Sequence, residues 1–219
     1  MNPKIEIEKL DSIPESSLYN KYAKTPYFFY LDSSDKNSKW SKFSFMGFEP
    51  MFILETKNGT TKKISQNKTE SLPGCPFDIL DKHIKEFSTD INLDFTPFWG
   101  GAVGYFSYNS INSSDKQNNK LPDIWFGFYN KIIVIDKTSN KKWLIKSTFP
   151  QDKTAKQNPI PKPQELHQNL SFQNIESNLD KKSYLNTIKK TKEYIRNGDI
   201  YQANISQRFS TKFQGNPID

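Results

Sequence analysis

In the stretch NGDIYQANISQRFS, residues 197–210, alternate positions carry Gln202, Asn204, Ser206 and Arg208. Read as a strand, it puts these four hydrogen-bonding side chains on one face. Tyr201, Ala203, Ile205, Gln207 and Phe209 fall on the other. The polar face holds no carboxylate and no histidine, so it can orient a polar molecule but has no general base. Two readings fit it: the solvent side of an antiparallel strand, or one wall of a polar small-molecule site. Other chemistry-bearing residues are sparse. Cys75 is the single cysteine, which excludes an internal disulfide. His83 and His167 are far apart and lack ligand spacing, so no zinc site is expected, and both read as solvated surface histidines. In FWGGAVGYFSYN (98–109) three glycines sit among aromatics. A phosphate cradle would need a helix after the glycines, and a further strand-like run and a loop follow instead. Those glycines mark a bulge or a close backbone approach.

The elements that must position these residues are set by composition and pattern. The chain has 219 residues, room for one large domain or two small ones. Hydrophobic content is 34% but aromatics reach 14%, so the core must be aromatic-rich. The net charge of +7 comes from lysines scattered among Asn and Ser, with only two arginines and no Arg-rich patch. That pattern does not favour nucleic acid as a partner. The N-terminus MNPKIEIEKLDS has no apolar signal core, and no apolar run approaches the roughly 18 residues of a membrane span. A cytoplasmic protein without a membrane partner is the expectation.

Along the chain, residues 4–9 alternate as a strand, and PYFFYLD (26–32) reads as an apolar strand. WSKFSFMGFEPMFILET is strand-like but interrupted at Gly47 and Pro50, where a bulge or corner fits. Asn58-Gly59 predicts a tight hairpin turn. PFDILDKHIKEF (76–87) has helical spacing, with Pro76 suited to the first turn. DIWFGFYNKIIVIDK and KKWLIKSTF read as a long hairpin joined by TSN. Residues 151–175, with Pro159, Pro161 and Pro163, read as an exposed linker. From Asp180, an N-cap, the pattern is helical through Tyr184, Leu185, Ile188, Tyr194 and Ile195, and Asn197-Gly198 stops it. The polar-faced strand follows over 199–209. The expected fold class is α+β. A mainly antiparallel N-terminal domain with packed helices spans 1–150, a linker 151–177, and the start of a second domain 178–219.

Four segments together resemble one family. GDIYQANISQRF is similar to the opening motif of the chorismate-binding core shared by component I of aminodeoxychorismate synthase, component I of anthranilate synthase, and the isochorismate and salicylate synthases. FWGGAVGYFSYN and LPDIWFGFYNKIIVID resemble consecutive segments of the N-terminal region of the two component I proteins. YLDSSDKNSKWSKFSFMGFEP resembles the region that lines a tryptophan pocket there. The resemblance implies that Gln202 orients substrate or nucleophile in an ammonia-using enzyme, where water-using relatives carry a lysine. Asn204, Ser206 and Arg208 would complete the substrate wall, although Asn204 also fits as ordinary strand decoration. Asn204 makes aminodeoxychorismate synthase (para-aminobenzoate synthase, folate biosynthesis) the better match, with anthranilate synthase (tryptophan biosynthesis) as the alternative. Ser33, Trp40, Ser41, Lys42 and Phe43 would surround tryptophan, with Asp32 placed to meet its ammonium; core packing is the other reading of Trp40 and Phe43.

The resemblance further implies chorismate as substrate, a glutamine amidotransferase subunit as partner, and Mg2+ as cofactor. It places the magnesium-binding glutamates and the acid/base groups beyond residue 219. The chain therefore reads as a truncated portion of an enzyme, inactive by itself and without a metal site of its own. A stand-alone tryptophan-binding regulatory module is the alternative from another class.

Overall fold

A computed structural model describes residues 2–35, 38–65, 68–110, 121–150, 171–172 and 174–215. The chain divides into two compact units, Met1–Gln164 and Glu165–Asp219. The first unit runs β1 (Lys4–Lys9), α1 (Glu15–Tyr22), β2 (Phe29–Leu31), β3 (Phe43–Gly47), β4 (Phe52–Lys57), β5 (Thr60–Ser65) and β6 (Lys68–Leu72). It continues with α2 (Pro76–Glu86), β7 (Gly101–Phe106), β8 (Ile124–Tyr129), β9 (Lys131–Asp136) and β10 (Lys141–Thr148). The strands form two five-stranded sheets, ordered β1-β10-β9-β3-β2 and β6-β5-β4-β8-β7. Every pairing is antiparallel. This is the expected α+β class.

β9 explains the core. Its run KIIVID has no polar alternation because both faces are covered. Ile133 and Ile135 pack with Leu10, Leu18, Tyr22 and Met46 under α1. Ile132 and Val134 pack with Tyr129, Trp143 and Ile145 on the other face. A third cluster, with Phe52, Leu54, Leu80 and Phe128, lies between the second sheet and α2. Tyr22 stacks on Phe48 at 4.0 Å, and Phe52 on Phe128 at 4.4 Å, as the aromatic-rich composition demands.

The chain changes sheets at two neighbouring corners. Residues 48–51 carry it from β3 to β4, where the sequence shows Gly47 and Pro50. Asn130 carries it from β8 back to β9. The long hairpin read from 123 to 149 is therefore divided: β9 and β10 form it, and β8 belongs to the other sheet. Met51 N–H donates to the Phe128 carbonyl at 2.8 Å, and Lys131 pairs with Glu49 at 2.5 Å, which ties the corners together. The Asn58-Gly59 turn is as read, with φ of 51° and 75° between the paired Lys57 and Thr60. β2 is shorter than PYFFYLD suggested, starting only after Tyr27 (φ 59°). His83 is not a surface residue. It is 7% exposed, its Nδ1 lies 2.8 Å from the Ile79 carbonyl, and its ring meets Phe52.

In the second unit, β11 (Ser171–Phe172) pairs with β14 (Phe213–Gln214), and β12 (Glu176–Ser177) with β13 (Phe209–Ser210). Between them α3 (Lys181–Asn197) starts at Asp180, whose carboxylate accepts from Ser183 N–H at 2.7 Å, and ends at Gly198. No described residue of this unit is buried. The linker read over 151–177, and His167 within it, lies outside the described residues as far as residue 170.

Candidate functional site

The serine expected at the tryptophan pocket lies at the end of β2, beside the start of β3. Ser33 Oγ donates to the Phe43 carbonyl at 2.7 Å, and Ser33 N–H donates to Ser44 Oγ at 2.9 Å. Ser44 in turn donates to Asp32 Oδ1 at 2.8 Å. The same oxygen accepts from Tyr30 at 3.0 Å and from Lys137 Nζ at 3.0 Å. Lys137 also reaches Glu15 of α1 at 2.7 Å, and the Tyr30 hydroxyl shares its one hydrogen between that carboxylate and Asp32.

Proton directions follow from this chain of contacts. The Ser33 hydroxyl gives its hydrogen to Phe43, so its lone pairs are left to accept from a ligand. Two carboxylates and one ammonium sum to a single negative charge, which suits a cationic group nearby. Three donors converge on Oδ1 of Asp32, and the residue stays exposed. Burial works against its ionisation, but the hydrogen bonds from Lys137, Ser44 and Tyr30 outweigh burial and hold its carboxyl below the ordinary range. For Lys137, burial opposes the charge and the bonds to Glu15 and Asp32 prevail, raising its pKa. Tyr30 is pushed up by burial and then by its carboxylate partners.

The other residues of this group are placed unevenly. Phe43 packs against the core beside Phe45, with Lys42 Nζ 4.9 Å from its ring centre. Ser41 N–H donates to the Ser38 carbonyl at 3.0 Å, closing a turn. Trp40 is 81% exposed, with Lys39 Nζ 4.9 Å over its ring. Phe43 thus packs one side against the core, and Trp40 stands away from it. None of the five lines a cavity of about 240 Å³ among the described residues of this unit. Glu15, Tyr30, Ser44 and Lys137 were absent from the sequence-based site. Ser44 carried a readable signal: it sits on the inward face of β3 with Met46, and a hydroxyl there must be hydrogen-bonded.

In the second unit the strand expected over 199–209 shrinks to Phe209–Ser210. A strand needs a neighbour to pair with, and among the described residues the short β12 supplies it. The alternation persists over its last part: Ile205 and Gln207 are half-buried, while Gln202, Asn204, Ser206 and Arg208 are exposed. Gln207 Nε2 donates to Ser177 Oγ at 3.0 Å, and Arg208 N–H donates to Asn178 Oδ1 at 2.8 Å. These bonds fix the backbone at 207–208 and leave the polar side chains facing outward. Among the described residues, no three His, Cys, Asp or Glu side chains come together as a metal site. They do not by themselves fit the magnesium ion implied by the resemblance. No helix among them is long and apolar enough to cross a membrane.

Residues 26–219 match the family described as chorismate binding enzyme, and the chain belongs to that family. Its relatives include anthranilate synthase component 1 of Aquifex aeolicus, 26% identical over 85% of this chain and 43% of the relative. The protein of the same name from Acetivibrio thermocellus is 26% identical over 93% of this chain and 47% of the relative. The chain thus spans a little under half the length of these curated relatives. The crystal structure of anthranilate synthase component I from Streptococcus pneumoniae TIGR4 shares the fold, with a TM-score of 0.51, 23% identity, and coverage of 85% of this chain and 46% of that one.

Proposed function

We propose that these residues are the N-terminal part of component I of a chorismate-aminating enzyme of the anthranilate synthase kind. The observation that carries this reading is the family match over residues 26–219, joined to relatives that bear the anthranilate synthase name. Asn204 had favoured aminodeoxychorismate synthase; the relatives' names favour anthranilate as the product. In this reading Gln202, Asn204, Ser206 and Arg208 form a wall against chorismate, and Gln202 orients the attacking ammonia. A glutamine amidotransferase subunit supplies that ammonia. Magnesium serves the reaction through residues other than those of this chain.

Ser33, with Trp40, Ser41, Lys42 and Phe43, forms the tryptophan site. The free lone pairs of Ser33 and the excess negative charge beside it support an ammonium ligand there. The test is expression of the complete coding sequence that contains these residues, supplied with chorismate, magnesium and ammonium. Anthranilate as the product is expected. 4-Amino-4-deoxychorismate would move the protein to the other ammonia-using branch, and no amino product from chorismate would sink the reading.

A further inference from the structure

The FWGGAVGYF segment borders a cavity that the chorismate reading does not use. It lies in the first unit, and its volume is about 240 Å³. Its walls come from Phe87, Trp99, Phe128, Tyr129, Phe149 and Ser147. The mouth lies at Ile84 and Ser88, both exposed, at the C-terminal end of α2. A dry apolar cavity of roughly 150 Å³ already holds a benzene ring. This one takes two fused rings.

Three Ser and Thr side chains line the cavity, Ser88, Thr89 and Ser147, and Ser147 is the buried one. Ser147 is 2% exposed. Its amide N–H takes the Asn130 carbonyl at 2.8 Å, and its hydroxyl reaches the same oxygen only at 3.5 Å. At that length the hydroxyl is barely satisfied, although a buried hydroxyl normally has a good partner. Gly100 keeps the space beside it open. A methyl group at Gly100 would stand 3.2 Å from the Tyr129 carbonyl and 3.8 Å from Ser147 Oγ. The Ser147 hydrogen points to the Asn130 carbonyl, so the lone pairs of its oxygen are left to accept from an N–H donor on the guest.

We infer that this cavity is a binding site for a small planar aromatic molecule of about two fused rings bearing an N–H donor, with Ser147 Oγ as the acceptor. The inference is independent of the chorismate reading, because none of the residues assigned to substrate or tryptophan lines the cavity.

The test uses the 219-residue chain and two probes of nearly one shape: indole, which has the N–H, and benzothiophene, which lacks it. Affinities are measured by calorimetry or by NMR titration for the wild type, Ser147→Ala and Gly100→Ala. Saturable binding of indole to the wild type is expected. The ratio of indole to benzothiophene affinity should fall about tenfold in Ser147→Ala, the worth of one hydrogen bond. Comparing the two probes cancels any general loosening of the fold by the substitution. Gly100→Ala, whose methyl crowds the acceptor, should lower indole affinity. If neither probe binds saturably to the wild type, or if the affinity ratio is the same in Ser147→Ala, the site is not what we infer.

Discussion

Asp32 receives hydrogen bonds from Tyr30, Ser44 and Lys137 on a single oxygen, and this sets how the end of β2 answers to pH. A carboxyl held below its ordinary value stabilises the fold above its unfolded pKa, and that contribution is lost as pH falls through the folded value. Lys137, held above its ordinary value, contributes below the unfolded lysine pKa and loses that contribution only as pH rises through its raised one. Near neutrality both contributions are complete. Lys137→Met removes the lysine bond that helps depress Asp32, so the variant should lose less stability than the wild type as pH falls, and the cost of the substitution should shrink toward acid. At pH 7 the cost should be about 1 kcal/mol, because both groups are partly solvated and screened. Urea melts from pH 7 down to pH 3 measure both effects; a cost that does not change with pH would show that Lys137 does not hold Asp32. Gln202 belongs to the same scale. An amide cannot take a proton from water, whereas a lysine with a lowered pKa can. Gln202→Lys in the complete enzyme should shift the products of chorismate from amino to hydroxyl compounds. Chromatography with ammonium present is the check, and an unchanged product ratio would remove Gln202 from the reacting atoms. Ser33 was legible in the sequence through the resemblance of its neighbourhood. Its partner Ser44 lies just past the run Trp40 to Phe43, and only strand alternation marks it as an inward hydroxyl.

Elements were legible where a local signal decided them. Asn58-Gly59 needed only two left-handed residues, and Asp180 and Gly198 bracket α3 with ordinary caps. The division of 123–137 was not legible. IWFGFYNKIIVID is apolar on both sides of Asn130, and local pattern does not say that one strand must serve two sheets. Helix α1 was missed for a related reason. ESSLYNKY has one buried pair, Leu18 and Tyr22, at four-residue spacing, too short a stripe to stand out. Glycines separate two kinds of constraint. At Gly104 an added Cβ would lie 1.9 Å from the Trp125 carbonyl, inside the backbone of β8. At Gly59 nothing lies within 4 Å, and only the φ of 75° matters. Gly104→Ala should therefore cost about 3 kcal/mol, by forcing β7 away from β8. Gly59→Ala should cost about 1 kcal/mol, the strain of a left-handed alanine. Urea midpoints order the two variants, and equal losses would mean that β7 yields without resistance.

At the scale of the whole chain the two units differ in what holds them. In the first, Met46, Ile132, Ile133, Val134 and Ile145 are wholly covered, and each such side chain is worth about 1.5–3 kcal/mol of burial. The second has no buried side chain among its described residues, and Leu185, Tyr194, Ile195 and Tyr201 of α3 and the segment after it are exposed. An isolated helix of 17 residues is marginal in water, even with a good N-cap. Opening α3 therefore requires little more than breaking its own backbone bonds. Opening β9 requires breaking both sheet neighbours and two clusters of packed rings and aliphatics. Amide exchange is set by the free energy of the opening that exposes each N–H. In the 219-residue chain, amides of β9 and β10 should exchange only through unfolding of the whole first unit. Amides of 181–210 should exchange within about a hundredfold of an unstructured peptide. Deuterium uptake followed by proteolysis and mass spectrometry reads both in one experiment. Slow exchange across α3, comparable to that of β9, would mean that a covering surface reaches this helix in solution and that its exposed apolar face is not what sets its stability.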